Sequence, residues 1–139
     1  MNILFLDDQQ ERHSLAEKYL SPYHTLLHCF TADEALEIIS SFQGIIGIAM
    51  LDHDLSDELT GRYEDGTPFE KHGIWFVNEL INNIPVAKHP PYVIVHSYNP
   101  DGSKNMTNTL NKYCNSIHAR QETFCGAMLQ RLVIELTPQ

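Results

Sequence analysis

Apolar residues in this chain occur in two spacings, short unbroken runs and one-sided stripes, and the two alternate from end to end. Ile3-Leu4-Phe5-Leu6, Ile45-Ile46-Gly47-Ile48-Ala49 continuing through Met50-Leu51, and Val93-Ile94-Val95 are runs without polar interruption. Such runs read as strands buried on both faces. Thr25-Leu26-Leu27-His28-Cys29 reads as a shorter strand and Ser116 to Ala119 as a weak fifth. The stripes between them are helical. Gln9 to Leu20 sets Leu15, Ala16, Tyr19 and Leu20 on one side and stops at Ser21-Pro22. Thr31-Ala32-Asp33-Glu34 is a capping box that opens a helix through Phe42, which Gly44 ends. Gly73 to Asn83 carries Ile74, Phe76, Val77, Leu80 and Ile81, with Asn82-Asn83 and Pro85 as its stop. Asn105 to Tyr113 is a short helix, and Phe124 to Leu136 is the last, its first turn weakened by Gly126.

Strands alternating with helices in a (βα)5 order predict an α/β domain: a parallel five-stranded sheet with helices on both faces and the flavodoxin-like strand order 2-1-3-4-5. Residues 1–139 form one such domain, with a long polar insertion at about 56–72. That insertion, rich in polar and turn-forming residues, starts at an acidic cluster and ends at a helix N-terminus. It is expected to act as a lid or binding loop.

Each buried run ends in polar residues. The first leads into Asp7-Asp8, the third into Asp52-His53-Asp54 and the fourth into His96-Ser97-Tyr98-Asn99. In a sheet of this order strands one and three are neighbours at the switch point, so Asp7, Asp8, Asp52 and Asp54 converge on one crevice with His96 and Ser97 beside it. Grouped carboxylates repel unless a cation or shared protons intervene. A divalent metal held by Asp7, Asp8, Asp52 and Asp54 is therefore expected, and an all-oxygen donor set points to Mg²⁺, with Mn²⁺ as the alternative. His53 and His96 keep zinc or iron open. His13, His24, His28 and His89 fall on predicted surfaces or turns and are expected to be solvated, so that replacing His13 has little effect.

The formal net charge of -9 opposes sequence-independent binding along duplex DNA, which needs a basic surface, and favours metal ions or a short substrate. Cys29, Cys114 and Cys125 show no CxxC spacing and fit reduced, buried thiols in a cytoplasmic protein. No apolar stretch approaches the length of a membrane span, so no membrane association is expected.

Asp7-Asp8 together with a strand-end Asp52, and Ser97 after the fourth strand, resemble the response-regulator receiver domain, in which Asp52 matches the phosphoryl-accepting Asp and Ser97 the Ser or Thr that contacts the phosphoryl group. Receivers carry a Lys after strand five. Here the segment is Ile117-His118-Ala119-Arg120-Gln121, so Arg120 is the candidate to stand in, although an Arg fork and a Lys point charge are not interchangeable. The Leu-Asp-His-Asp-Leu strand end, the long loop containing Asp-Gly and the His-Ser-x-Asn strand end are more closely similar to a divergent branch, the cyclic-phosphate processing receiver family. That resemblance implies action on cyclic phosphate ends, in RNA repair or nucleotide-based conflict.

The expected chemistry is metal-assisted hydrolysis of a cyclic phosphodiester, an RNA 2′,3′-cyclic phosphate end or a cyclic nucleotide. Asp7, Asp8 and Asp52 hold the metal, Asp54 ligates or orients, and His53 or His96 moves the proton. Alternatively, Asp52 attacks phosphorus itself. Ser97, Asn99 and Lys104 are the candidates for binding phosphate oxygens. Two other classes stay open: a phosphoacceptor signalling receiver, and a noncatalytic module binding a cyclic nucleotide or a partner protein, with Trp75 and Tyr98 as stacking candidates.

Overall fold

A computed structural model of the chain describes residues 1–55, 60–62, 64–97 and 100–137. Five strands, β1 (Asn2–Leu6), β2 (Thr25–Cys29), β3 (Ile46–Leu51), β6 (Tyr92–Val95) and β7 (His118–Gln121), form a parallel sheet in the order β2-β1-β3-β6-β7, which is 2-1-3-4-5 for the sheet strands taken in sequence. The helices are α1 (Gln10–Leu20), α2 (Ala32–Ser41), α3 (Gly73–Asn83), α4 (Pro100–Tyr113) and α5 (Gly126–Leu136), with one 3-10 turn at Val86–Lys88.

Alternation along each strand divides the core in two. Leu4 and Leu6 of β1, Ala49 and Leu51 of β3, and Val93 and Val95 of β6 pack with α2, α3 and α4. Their neighbours Ile3, Phe5, Ile48, Met50 and Ile94 face Ala16 and Leu20 of α1 and Met128, Leu129 and Leu132 of α5. The three central strands are apolar at every buried position because both faces are covered.

Several boundaries differ from the sequence reading. Ile45 is 80% exposed, and β3 begins one residue later. The last sheet strand lies two residues beyond the Ser116–Ala119 reading because Ile117, its strongest apolar residue, fills the core just before the strand. α4 begins at Pro100 rather than Asn105: proline is accommodated in a first helical turn, so the Pro-Asp-Gly sequence is helix, not turn. Within the insertion, β4 (Thr60–Arg62) and β5 (Pro68–Glu70) form an antiparallel hairpin. Gly66 takes the left-handed conformation at its turn, φ 88°, and Asp65 Oδ1 accepts from the Thr67 amide. Among the described residues, no helix is long and apolar enough to cross a membrane. Cys29 and Cys114 are buried, but Cys125 is exposed, against the expectation of three buried thiols.

Candidate active site

Strand register builds the site. Leu6, Leu51 and Val95 stand on one rung of the sheet, and the ladder continues one residue past them: the Asp7 amide donates to Cys29 O, that of Asp52 to Leu6 O and that of His96 to Leu51 O. Asp7, Asp52 and His96 therefore lie side by side. Because Leu6, Leu51 and Val95 face the α2/α3/α4 layer, these next residues turn to the α1/α5 side. The residues after them turn back, which places His53 against α3 and α4.

On the α1 side the structure supplies a cation that the hydrophobic pattern concealed. Arg12, in the first turn of α1, donates from Nη1 to Asp7 Oδ2 at 3.0 Å and to Asp52 Oδ2 at 3.2 Å. Burial is the main force raising Asp7 above the usual carboxylate range, against the Gln9 amide and Arg12. Burial, reinforced by the Asp7 charge, pushes Asp52 up to about 7, while Arg12 and a hydrogen bond from Ser97 pull the other way. Such a displacement is about 4 kcal/mol against the ionised form, so one guanidinium leaves the pair short of positive charge. Asp8 completes the group, the three carboxylates offering oxygens within 4.8 Å of one another. An all-carboxylate donor set with unmet negative charge fits a hard divalent ion such as Mg²⁺ or Mn²⁺. Asp54 is not in that group: it is exposed, and its Oδ1 lies 2.8 Å from His53 Nδ1.

A carboxylate only accepts, so His53 Nδ1 carries the proton and, in the neutral ring, Nε2 holds the lone pair. The ring stacks at 5.6 Å on His72, whose Nδ1 accepts from the Leu55 amide. Two glycines make room for this segment. A Cβ on Gly73 would lie 2.5 Å from the Asp52 carbonyl oxygen, and one on Gly102 would lie 2.7 Å from the His53 ring. The Gly73 amide also donates to His53 O at 2.8 Å.

His96 is wholly buried, stacked at 5.2 Å on Phe5 and packed against Phe124. Among the described residues neither of its ring nitrogens has a hydrogen-bond partner, and Nδ1 is 3.7 Å from Asp7 Oδ2. Burial and then Arg12 hold its pKa down to about 3, so it is a neutral ring packed beneath the carboxylates. Sealed from solvent, it cannot pass a proton to water in this arrangement.

The cleft above, about 380 Å³, is lined by Asp8, Gln9, Arg12, Asp52, Asp54, Leu55 and His72. Lys104 is exposed on α4 and is not among these lining residues. Asn99 and Tyr98 lie outside the described residues, as do Ser56, Asp57 and Tyr63 of the insertion. Arg120 is not at the site: it pairs with Glu135 at 2.8 Å and Glu122 at 3.6 Å. Trp75 is half-buried against the core, with the Lys71 ammonium 4.8 Å over its ring.

Of the four histidines expected to be solvated, His13 is buried, and His24, His28 and His89 are half-buried with hydrogen-bond partners. His13 is 2% exposed, its Nε2 donating to Asp7 O at 2.7 Å and its Nδ1 2.7 Å from His28 Nδ1. His89 bonds Ser116 and two helix-end carbonyls, and His24 lies 3.1 Å from the chain's amino group. His13, Ala16 and Leu20 are the buried residues of α1, and their i, i+3, i+7 spacing was the available signal. Arg12 carried a subtler one, a basic residue in the first helical turn after strand-end carboxylates.

The profile of the cyclic-phosphate processing receiver domain matches residues 2–112. Among solved structures, the chain is similar to a CheY-like receiver domain from Methanospirillum hungatei JF-1, with 15% identity over 96% of this chain and 90% of that one and a TM-score of 0.60. It is similar also to a CheY-like receiver domain from Methylobacillus flagellatus, with 14% identity, 99% and 98% covered and a TM-score of 0.64. A structure described as an adenylate cyclase from Rhodopirellula baltica matches at 15% identity, 96% and 84% covered, TM-score 0.64. At these identities the likeness shows the fold. No curated protein matches the sequence.

Proposed function

The chain belongs to the cyclic-phosphate processing receiver family, and from that premise we propose that it is a metal-dependent hydrolase of cyclic phosphodiesters, its substrate a nucleoside 2′,3′-cyclic phosphate, an RNA end of that kind or a cyclic nucleotide. The observation that carries this reading is the cluster of the Asp7, Asp8 and Asp52 carboxylates beside a cleft that Asp54, the partner of the oriented His53, also lines. An ion bound by the three carboxylates supplies Lewis acidity and charge neutralisation to a phosphate.

The chain's own groups do the rest. His53 Nε2 accepts a proton from the attacking water and returns it to the ribose oxygen released as the P–O bond of the ring breaks, with Asp54 fixing the tautomer and favouring the imidazolium that forms between the two transfers. The Ser97 hydroxyl, already bonded to Asp52, stands at the strand end where a phosphate oxygen arrives. His96 is a positioning residue that fills the space under Asp7 without charge.

The test is Mg²⁺-dependent product release from nucleoside 2′,3′-cyclic phosphates, a cyclic-phosphate-ended RNA and cyclic dinucleotides. Asp52→Asn is expected to abolish turnover, and His53→Ala to lower it by about a hundredfold. Near-normal activity in Asp52→Asn would sink the reading. A second reading, the phosphoacceptor receiver, is favoured by the placement of Asp52 beside Ser97 on a receiver fold. It predicts covalent labelling of Asp52 by a small acyl phosphate and no multiple turnover.

A further inference from the structure

The resemblance to receivers led to the expectation of a cation after the last sheet strand, and the structure shows that position's Arg120 committed to Glu135 and Glu122. The positive charge at the carboxylates comes instead from α1. We propose that Arg12 is the phosphate-gripping residue of this cleft: it bridges Asp7 and Asp52 in the metal-free protein and turns its guanidinium to phosphate oxygens once a divalent ion occupies those carboxylates. The proposal rests on the reading of the cleft as a phosphate site.

Three observations support it. Arg12 lines the cleft together with Asp8, Asp52, Asp54 and His72, and its side chain is 20% exposed, so it reaches the space a phosphate would fill. Its contacts with Asp7 and Asp52 both run through the one nitrogen, Nη1, an end-on approach to the two carboxylates. The two-nitrogen fork that guanidinium makes with a phosphate is the stronger arrangement, so the exchange gains geometry as well as charge. Charge balance points the same way. Three carboxylates against one guanidinium repel a phosphate, whereas the same carboxylates against a guanidinium and a divalent ion are neutral. Several other described cations are engaged away from the cleft: Lys71 with Asp33 and the face of Trp75, Arg62 with Gly66 O, and Arg131 with Glu122.

The experiment is calorimetric titration of the full chain, first with Mg²⁺ alone and then with inorganic phosphate at saturating Mg²⁺, in the parent protein, Arg12→Gln and Arg12→Lys. Arg12→Gln is expected to bind Mg²⁺ about threefold more tightly, since a competing cation is gone, and phosphate roughly tenfold or more weakly. Arg12→Lys keeps the charge without the fork, so its Mg²⁺ affinity should stay near the parent's and its phosphate affinity fall between the other two. Unchanged phosphate affinity in Arg12→Gln would make Arg12 a structural bridge, and unchanged or weaker Mg²⁺ binding would show that it does not compete for the carboxylates; either overturns the proposal. If Arg12→Gln does not fold, the Arg12 Nε–H resonance of the parent decides, shifting with Mg²⁺ and again with phosphate if the exchange occurs and staying fixed if it does not. A parent that binds no phosphate even with Mg²⁺ removes the phosphate reading of the cleft and this proposal with it. Loss of Arg12's effect alone, with parent binding intact, removes only the proposal.

Discussion

Asp52 and His96 are neighbours on one rung of the sheet, and burial acts on them in opposite senses. The folded state keeps the Asp52 proton up to about pH 7, whereas the unfolded chain releases it near 3.8, so the stability from this group is full below 3.8 and is lost as pH rises toward 7. His96 stays neutral down to about pH 3 although the unfolded imidazole protonates near 6.5, so its contribution is full above 6.5 and is lost as pH falls toward 3. Asp7, also raised, adds to the first slope and His13, lowered, to the second. Removing the Asp52 slope with Asp52→Asn should leave a metal-free protein whose urea midpoint climbs more steeply between about pH 4 and about pH 6.5 than the parent's. A variant curve no steeper than the parent's would show that Asp52 is not held protonated by the fold. At the neighbouring couple, Asp54→Asn keeps the volume but removes the charge that favours the His53 imidazolium. Turnover should drop by about tenfold, and unchanged turnover would show that Asp54 does not support His53. The strand-end acids were legible because an apolar run that ends in carboxylates is rare and local. Arg12 was not, because nothing in helical periodicity says where a long side chain on the partly polar face of α1 will reach, and His13 was hidden because a polar residue on a buried face looks like surface until its partners, Asp7 O and His28, are known.

α3 and α4 meet the end of β3 through glycines, and these contacts set where Asp52 and His53 stand. At Gly73 the obstruction to a side chain is backbone, the Asp52 carbonyl oxygen, which cannot step aside. Gly73→Ala should therefore cost about 1–3 kcal/mol in urea unfolding, although alanine is ordinarily the better helix former. At Gly102 the obstruction is the His53 ring, which can rotate. Gly102→Ala should cost less stability than Gly73→Ala and lower turnover more, measured as kcat on the same substrate panel. Equal losses in both assays for the two variants would remove the distinction. The α3 span was read to the residue because its stop signals and its stripe agree. α4 starts five residues before the Asn105 that the sequence indicated, because the missing amide donor of Pro100 is harmless in a first turn. The hairpin of the insertion was not read at all: three-residue strands are too short to show a period, and its register rests on Gly66 and Asp65.

Seen whole, the molecule is a two-layered core that ends at a level row of strand termini, with the insertion starting directly at that row. Among the described residues, the backbones of β4 and β5 contact chiefly each other. Replacing residues 60–70 with a short Gly/Ser linker should therefore shift unfolding free energy by no more than about 0.5 kcal/mol while lowering turnover, if the insertion covers the cleft. A large loss of stability would make it part of the fold instead. The strand order and the two-faced helix cover were both legible at this scale, since they follow from alternation and connection length rather than from any single contact. Lys71, the first residue after β5, anchors to Asp33 of α2 and lays its ammonium over the ring of Trp75, the chain's one tryptophan. Indole emission is tuned by nearby charge, so the colour of this protein's own fluorescence reports where the base of the hairpin is seated. A shift of that wavelength on adding Mg²⁺ or phosphate to an unlabelled sample is the outcome expected if the hairpin moves, and a constant wavelength would show that it does not.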